Sequence, residues 1–226
     1  MVGWIMKSQD IGLLLKLVCL QRREEGLAEK HSHAQWRDWD WEPDLIELSY
    51  GYEQDSWRDP HKSESDYLVE RYSVRALAEE TGISKSQVSL ALQRCYDVGL
   101  VVQDREFGVP RANIKALYEL IVYSVRYVFP VKMEAVTRGI ATSFAAPVLA
   151  GKLMSAGELV PVWPDARGNT KGQSVEPLFK SATHAVRKDP ELYALLALID
   201  SIRLGQARER NIATELLAKR LGVSNE

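Results

Sequence analysis

Apolar residues recur at helical spacing through much of this 226-residue chain. Near the start, residues 10–22 place Ile11, Leu14, Leu15 and Val18 on one face, which predicts a buried amphipathic helix. The later stretches with this periodicity are residues 113–128, 131–155, 190–204 and 206–221. We therefore expect a mainly α-helical fold.

The segment 72–100 predicts two helices joined by a sharp turn. Ser73 is suited to cap the first helix, along which small and apolar residues recur at helical spacing. Gly82 can adopt the left-handed backbone conformation that ends one helix and turns the chain into the next. Ser84 can cap the second helix. Ala78 is small where two helices that cross at a tight turn would come closest.

The second helix of this pair has two faces of different chemistry. The residues that follow the i, i+3, i+4, i+7 pattern, and so would face the core, are Val88, Ala91, Leu92 and Cys95. The opposite face carries small polar side chains and a single positive charge, on Lys85, Ser86, Ser89 and Gln93. This arrangement points to DNA binding.

Residues 70–130 resemble the winged helix-turn-helix class, and MarR-like transcriptional regulators in particular. The positions that match the alanine, glycine and two apolar positions of helix-turn-helix regulators are Ala78, Gly82, Ile83 and Val88. Residues 97–102 look like the start of a wing, and the candidate wing covers residues 101–114 with its turn at 107–110. In that class the second helix enters the major groove and the wing reaches the backbone or minor groove.

The resemblance implies a role for individual side chains. The residues that would read bases are Lys85, Ser86, Ser89 and Gln93, with Ser84 and Arg94 at the edges of that surface. The residues that would hold phosphates are Arg75, Arg105, Arg111 and Lys115. The helices that follow the wing often pair subunits in such regulators, so we expect a homodimer.

Charge does not decide between DNA binding and a structural or protein-binding winged helix. Residues 72–115 hold six basic and five acidic side chains, a net charge of +1, which is weak for a surface that must displace phosphate counterions. A dimer would present two such surfaces to the DNA.

The net charge of −2 conceals an acidic segment at 22–66, with thirteen acidic and six basic residues. The basic remainder would be steered toward DNA.

The segment 26–66 separates the first helix from the helix-turn-helix pair and is rich in tryptophan. Four of the six tryptophans of the chain lie in it, namely Trp36, Trp39, Trp41 and Trp57. Aromatic side chains at this density rarely stay free in water, so we expect the insertion to fold onto the winged helix. A partner-binding or ligand-sensing patch is the alternative, and no residue spacing separates the two.

The sequence divides into two predicted domains. Residues 1–130 form a winged helix-turn-helix DNA-binding domain with the insertion at 26–66, and residues 131–226 form a helical C-terminal domain. Prolines and glycines interrupt the periodicity at 157–174, which predicts a mobile surface loop. Asp189 and Pro190 are suited to begin the helix that follows.

No set of residues predicts catalysis, a metal or a cofactor. The segment 167–172 is similar to a phosphate-binding loop, but its lysine does not directly follow the second glycine. His31 and His33 form a His-x-His pair without thiolates or a third spaced ligand, which is usually a solvated loop. His61 and His184 stand alone. We expect a protein that is not an enzyme.

Cysteine content and hydropathy predict a cytoplasmic protein with no membrane contact. Cys19 and Cys95 lie on predicted apolar helix faces, and two thiols do not make a disulfide framework. Lys16 interrupts the apolar run near the N-terminus, which is also too short for a membrane span or a signal sequence.

The expected function is that of a dimeric transcriptional regulator that binds double-stranded DNA. The alternative is a protein-interaction module, such as an antitoxin that binds a partner protein and represses its own operon. For that alternative the basic C-terminal helices offer a docking surface through Arg203, Arg208 and Arg210, although a solvated helix face would carry the same charges.

Overall fold

The computed structural model describes residues 5–26, 36–39, 63–152 and 159–223. The fold in these ranges is mainly helical, as the periodicity predicts. The helices are α1 (Ser8–Glu24), α2 (Glu64–Arg71), α3 (Val74–Thr81), α4 (Lys85–Asp97), α5 (Ile114–Val128), α6 (Ala182–Lys188), α7 (Pro190–Leu204) and α8 (Ala207–Leu221). The strands are β1 (Val101–Gln103), β2 (Pro110–Ala112), β3 (Met133–Ala141), β4 (Pro161–Pro164) and β5 (Thr170–Val175).

Helix α1 is a central element of the core. Every residue from 10 to 20 is buried, and α1 packs on α3, α4, β2, α5 and α7. The sequence predicts a buried helix here, but one in which a single apolar face is turned to the core. Burial on all sides reflects the number of elements that surround it. In the described ranges, no helix is long and apolar enough to span a bilayer.

Helices α3 and α4 form the predicted helix-turn-helix pair. The Ser73 side chain accepts a hydrogen bond from the Ala76 backbone N–H at 3.1 Å and caps α3. Gly82 ends α3 with φ +68°, the left-handed conformation that the turn requires. Ser84 caps α4 by accepting a hydrogen bond from the Gln87 N–H at 3.4 Å. Each of these local predictions is confirmed.

Strands β1 and β2 form an antiparallel hairpin where the sequence predicts a wing. Val101 pairs with Ala112 at its base. The turn begins earlier than predicted, because the Asp104 carboxylate accepts hydrogen bonds from the backbone N–H groups of Glu106 and Phe107. The Asp104 N–H then donates to the Val109 carbonyl at 2.8 Å and closes the loop.

In the described parts of 131–155 and 157–174, the expected helix and the expected loop are wrong, while residues 153–158 lie outside the described residues. Strand β3 lies antiparallel to both β4 and β5, which are parallel to each other, so the three strands close on themselves. The glycines that indicate a loop instead permit close backbone approach. A Cβ added to Gly172 would lie 2.0 Å from the Val160 carbonyl oxygen. Pro161 and Pro164 stand at the two ends of β4, where strands tolerate proline.

Helices α6, α7 and α8 follow the closed sheet, and α7 is buried along nearly its whole length. Asp189 caps α7, and Pro190 takes its first position, as predicted. Buried apolar side chains of α1, α3 to α5 and α7, together with Ile140 and Trp163 of the closed sheet, belong to one continuous core. The expected boundary near residue 130 therefore does not coincide with a break in the core.

Residues 36–39 are the described part of the insertion that packs on the body of the protein. The rings of Trp36 and Trp39 stand edge-on to Tyr193 of α7 at 6.5 and 5.9 Å. The Asp38 carboxylate accepts hydrogen bonds from the Ala141 N–H and the Thr170 hydroxyl of the closed sheet. Residues 36–39 therefore contact α7 and the closed sheet, whereas the expected contact was with the segment around α3, α4 and the β1–β2 hairpin. Trp41 and Trp57 lie outside the described residues.

A buried ionic cluster joins α1, the helix-turn-helix and the start of α7. Lys16 Nζ lies 2.8 Å from Asp189 and 3.0 Å from Glu80, and Arg23 lies 2.7 Å from Asp189. Burial alone would raise the pKa of the Asp189 carboxyl, but Lys16 and Arg23 hold that pKa well below its usual range. The lysine that interrupts the apolar sequence is therefore a buried charge with two partners.

Candidate nucleic-acid interface

The outer face of α4 presents the predicted base-reading residues to solvent. Its inward residues Val88, Ala91 and Cys95 are buried, as their spacing predicts. The side chains on the opposite face are exposed, namely Lys85, Ser86, Ser89 and Gln93. Ser84 is exposed as well, although its hydroxyl already caps the helix. The base-reading role of these residues stays a prediction.

Arg94 is not at the edge of this surface, contrary to the expectation. Its side chain is buried and donates two hydrogen bonds to Asp10 of α1, at 2.9 and 2.6 Å. Helical periodicity places Arg94 at the boundary between the polar and the apolar face of α4. The carboxylate that draws it inward lies 84 residues earlier in the chain, where no local pattern could indicate it.

Arg111 is also engaged inside the protein and does not extend from the wing as a free cation. Its guanidinium lies 2.6 Å from Glu24 and 3.5 Å from Asp104. It also lies over the ring of Tyr72, 4.9 Å from the centroid. This arginine holds the wing against α1, so the expectation of a phosphate contact is replaced by a structural role.

The remaining predicted phosphate contacts, Arg75, Arg105 and Lys115, are exposed on α3, the wing turn and α5. With Lys85 they make four exposed cations in residues 72–115. The exposed acidic side chains of the same range are Glu79, Asp97 and Glu106. The electrostatic attraction of this surface for phosphate is therefore weak within one copy.

Apolar side chains adjoin the polar face of α4, a feature that the sequence pattern does not predict. Leu90 is 42 % and Tyr96 is 39 % exposed. Val98 and Val102, at the end of α4 and in the first wing strand, are exposed too. Leu90 and Tyr96 break the helical apolar pattern of α4, and that mismatch is the signal that could have identified them.

Helix α6 supports the turn of the helix-turn-helix. His184 Nε2 and Lys188 Nζ each donate a hydrogen bond to the Glu79 carbonyl, both at 3.1 Å. A Cβ added to Gly82 would lie 2.8 Å from the Ser181 Cβ. No local pattern indicates this contact, because His184 and Glu79 are 105 residues apart and share no motif.

Helix α5, which follows the wing, exposes an aromatic face. Tyr123 and Tyr127 lie one helical turn apart and are 70 % and 74 % exposed. Val128 is exposed beside them at the end of the helix. Tyrosine side chains on one face of a helix are typical of protein interfaces.

Arg203 is unsuited to the docking role that its sequence position suggests. It is buried, and it donates to the Phe129 carbonyl at 2.9 Å and to Asp200 at 2.7 Å. Arg208 is exposed and Arg210 is partly exposed. A docking surface made of all three arginines is therefore wrong, because the first of them stabilises the contact between α5 and α7.

The thiol and metal-ligating side chains can be placed only for the described residues. No group of three or more His, Cys, Asp or Glu side chains there could hold a metal ion. Cys19 and Cys95 are buried free thiols, and burial raises the pKa of Cys95 to about 12. The segment 167–172 enters strand β5 and not a helix. His31, His33 and His61 lie outside the described residues.

No model of a protein family matches this chain, and neither does any curated protein or solved structure.

Proposed function

We propose that this protein is a sequence-specific transcriptional regulator that binds double-stranded DNA through its helix-turn-helix and wing. The observation that carries the proposal is the outer face of α4. It presents Lys85, Ser86, Ser89 and Gln93 on a helix that is capped at its start and followed by a β-hairpin. A helix of this kind fits the major groove, where amide and hydroxyl groups can pair with base edges.

The proposed DNA contacts separate into two kinds. Gln93 and Ser89 would contact base edges, since an amide can form two hydrogen bonds to adenine and a hydroxyl can pair with several bases. Arg75, Arg105 and Lys115 would contact phosphates and set the position of the protein on the duplex. Arg94 and Arg111 are left out because their guanidinium groups are engaged by Asp10 and Glu24.

The regulator is proposed to act as a homodimer through α5. Tyr123 and Tyr127 stay exposed to water in a single copy, and tyrosine is enriched at protein interfaces. Glu119 lies one helical turn before Tyr123 and Arg126 lies one turn after it, so α5 carries opposite charges on either side of its aromatic centre. A two-fold axis there would bring each charge toward its opposite on the second copy.

A DNA-binding regulator of this kind is proposed to work in the cytoplasm. The two free thiols agree with a reducing compartment, since Cys19 and Cys95 form no disulfide.

Selection from random duplexes, followed by binding measurements at several salt concentrations, tests this function. We expect one enriched inverted repeat with half-sites about one helical turn, or a multiple of it, apart. Binding should weaken steeply as salt rises, because phosphate contacts release counterions. The absence of any enriched sequence, together with no salt-dependent retention of duplex DNA, would contradict the proposal.

A second candidate is a protein-interaction module, such as an antitoxin whose winged helix serves partly as a scaffold. The observation that favours it is the apolar exposure of Leu90 and Tyr96 beside the polar face of α4. Apolar side chains gain more from a protein surface than from a phosphate backbone. Copurification with one protein that resists high salt, without selective DNA binding, would favour this candidate.

A further inference from the structure

The segment 177–188 is basic and contains no acidic residue. It holds Lys180, Arg187 and Lys188 together with His184, and it includes the whole of α6. The exposed charges of residues 72–115 nearly cancel. A cationic segment that packs on the helix-turn-helix therefore changes the electrostatics of the candidate DNA surface.

The core fixes the position of this segment. Phe179 is buried against α1, where a Cβ added to Gly12 would lie 2.5 Å from its ring. Ala182, Ala185 and Val186 are buried as well. The segment is thus held rigidly, and its side chains keep a defined position relative to the helix-turn-helix.

The contact point on the helix-turn-helix is its turn. The Ser181 Cβ lies 2.8 Å from where a Cβ on Gly82 would stand, and His184 Cδ2 lies 3.1 Å from the same point. Gly82 is two residues before Ser84, which caps α4. Lys180 directly precedes Ser181, so its backbone lies close to the turn that leads into α4, and the residue is exposed.

The other cations of the segment have partners within the protein. Arg187 forms an ion pair with Asp165, and Lys188 donates to the Glu79 carbonyl. Lys180 is exposed, and the His184 ring is exposed although its Nε2 contacts Glu79. Lys180 is therefore the cation of the segment that is best placed to meet an anionic ligand.

We infer that Lys180 binds a phosphate of the DNA backbone beside the groove that α4 reads. The segment then acts as a third DNA-contacting element, in addition to the helix-turn-helix and the wing. This inference rests on the proposed function. It assigns a DNA contact to the C-terminal half of the chain, and it supplies positive charge that the weakly charged helix-turn-helix lacks.

The test compares Lys180→Ala with Lys219→Ala, which removes an exposed lysine from α8, and with Lys180→Arg. For Lys180→Ala we expect weaker binding to all duplexes, specific and non-specific, and a salt slope smaller by about one. Lys219→Ala should bind like the unmodified protein, and Lys180→Arg should retain most of the affinity. Circular dichroism and urea unfolding check that all three variants fold.

The outcomes separate this inference from the proposed function. If the unmodified protein binds duplex DNA and Lys180→Ala keeps the same affinity and salt slope as Lys219→Ala, the inference is wrong and the regulator role stands. If the unmodified protein retains no duplex DNA, the proposed function fails first. Phosphate ethylation interference adds a direct readout, since Lys180→Ala should lose interference at one backbone position in each half-site.

Discussion

Arg94 of α4 and Asp10 of α1 form a two-point ion pair, with Nε 2.9 Å from Oδ2 and Nη2 2.6 Å from Oδ1. Asp10 is fully buried, and its carboxylate also accepts a hydrogen bond from the Lys7 N–H at 2.9 Å. One carboxylate thus caps α1 and fixes the helix proposed to read DNA. The orientation of α4 depends on this pair.

Replacement of Arg94 by alanine should lower the free energy of unfolding by about 3 to 5 kcal/mol, because it leaves the buried Asp10 charge without its partner. Urea unfolding measures this change. Gln93→Ala is the matched control, since the neighbouring side chain is exposed and its loss should change stability by less than about 0.5 kcal/mol. Equal stability of the two variants would show that the pair contributes little.

Asp189 should make stability depend on pH in the acidic range. The pKa of the Asp189 carboxyl is lower in the folded than in the unfolded protein. In the acidic range this carboxyl therefore binds more protons in the unfolded chain, and the free energy of unfolding falls as pH decreases. The loss should begin near about pH 5 and grow as the medium becomes more acidic. Urea unfolding at a series of pH values measures it.

Asp189→Asn separates the charge from the helix cap, because asparagine also caps helices. The variant should be less stable at neutral pH, where Lys16 loses its nearest carboxylate. Its stability should also change less between about pH 5 and pH 3 than that of the unmodified protein. Parallel pH curves for the two proteins would contradict the role assigned to Asp189.

The helix-turn-helix could be predicted because its signals are local. Ser73, Gly82 and Ser84 act within a few residues of their own positions, and the apolar spacing of α4 defines its buried face. The closed sheet could not be predicted in this way. Strand pairing brings Gly139 and Trp163 together from separate segments, and nothing in either segment specifies the other.

The candidate site was predictable in its polar face but not in its charges. Serine and glutamine positions on α4 follow from helical geometry alone. In the sequence, Arg94 and Arg111 look like Arg75 and Arg105, yet their nearest carboxylate partners, Asp10 and Glu24, lie 84 and 87 residues away. Which arginines stay free for a ligand is decided by tertiary contacts.

Gln93 and Arg105 should affect DNA binding in different ways. Gln93→Ala should weaken binding to the preferred site by about 1 to 3 kcal/mol and leave non-specific binding nearly intact. Arg105→Ala should weaken binding to all sequences and reduce the salt slope by about one. Titrations of specific and random duplexes at several salt concentrations measure both effects. Ser89→Ala should behave like Gln93→Ala.

Arg111→Ala distinguishes an internal arginine from a phosphate contact. It removes the ion pair with Glu24, so it should lower the stability of the wing and its thermal unfolding temperature. DNA binding would weaken because the wing is less stable, and the dependence of binding on salt would stay the same. A stable Arg111→Ala protein with a salt slope smaller by about one would return Arg111 to the phosphate contacts.

Glu119 and Arg126 should control assembly through α5. Paired antiparallel about an axis near Val122 and Tyr123, two copies of α5 place Glu119 opposite Arg126 of the partner subunit, twice in each dimer. Glu119→Arg should therefore replace two attractions by two repulsions and weaken the dimer by about tenfold or more, which corresponds to about 1.4 kcal/mol. Analytical ultracentrifugation over a concentration series measures the dissociation constant.

The double variant Glu119→Arg, Arg126→Glu restores opposite charges across the same axis and should recover most of the dimer. Recovery is expected only if the two side chains meet across copies, because each single variant alone creates a like-charge pair. Tyr123→Arg should dissociate the dimer in either background, since it places a charge at the aromatic centre of the face. Val69→Arg, at an exposed apolar position on α2, serves as the control and should leave the dimer intact. A dimer that resists Tyr123→Arg, or a double variant no better than the single ones, would exclude α5 as the interface.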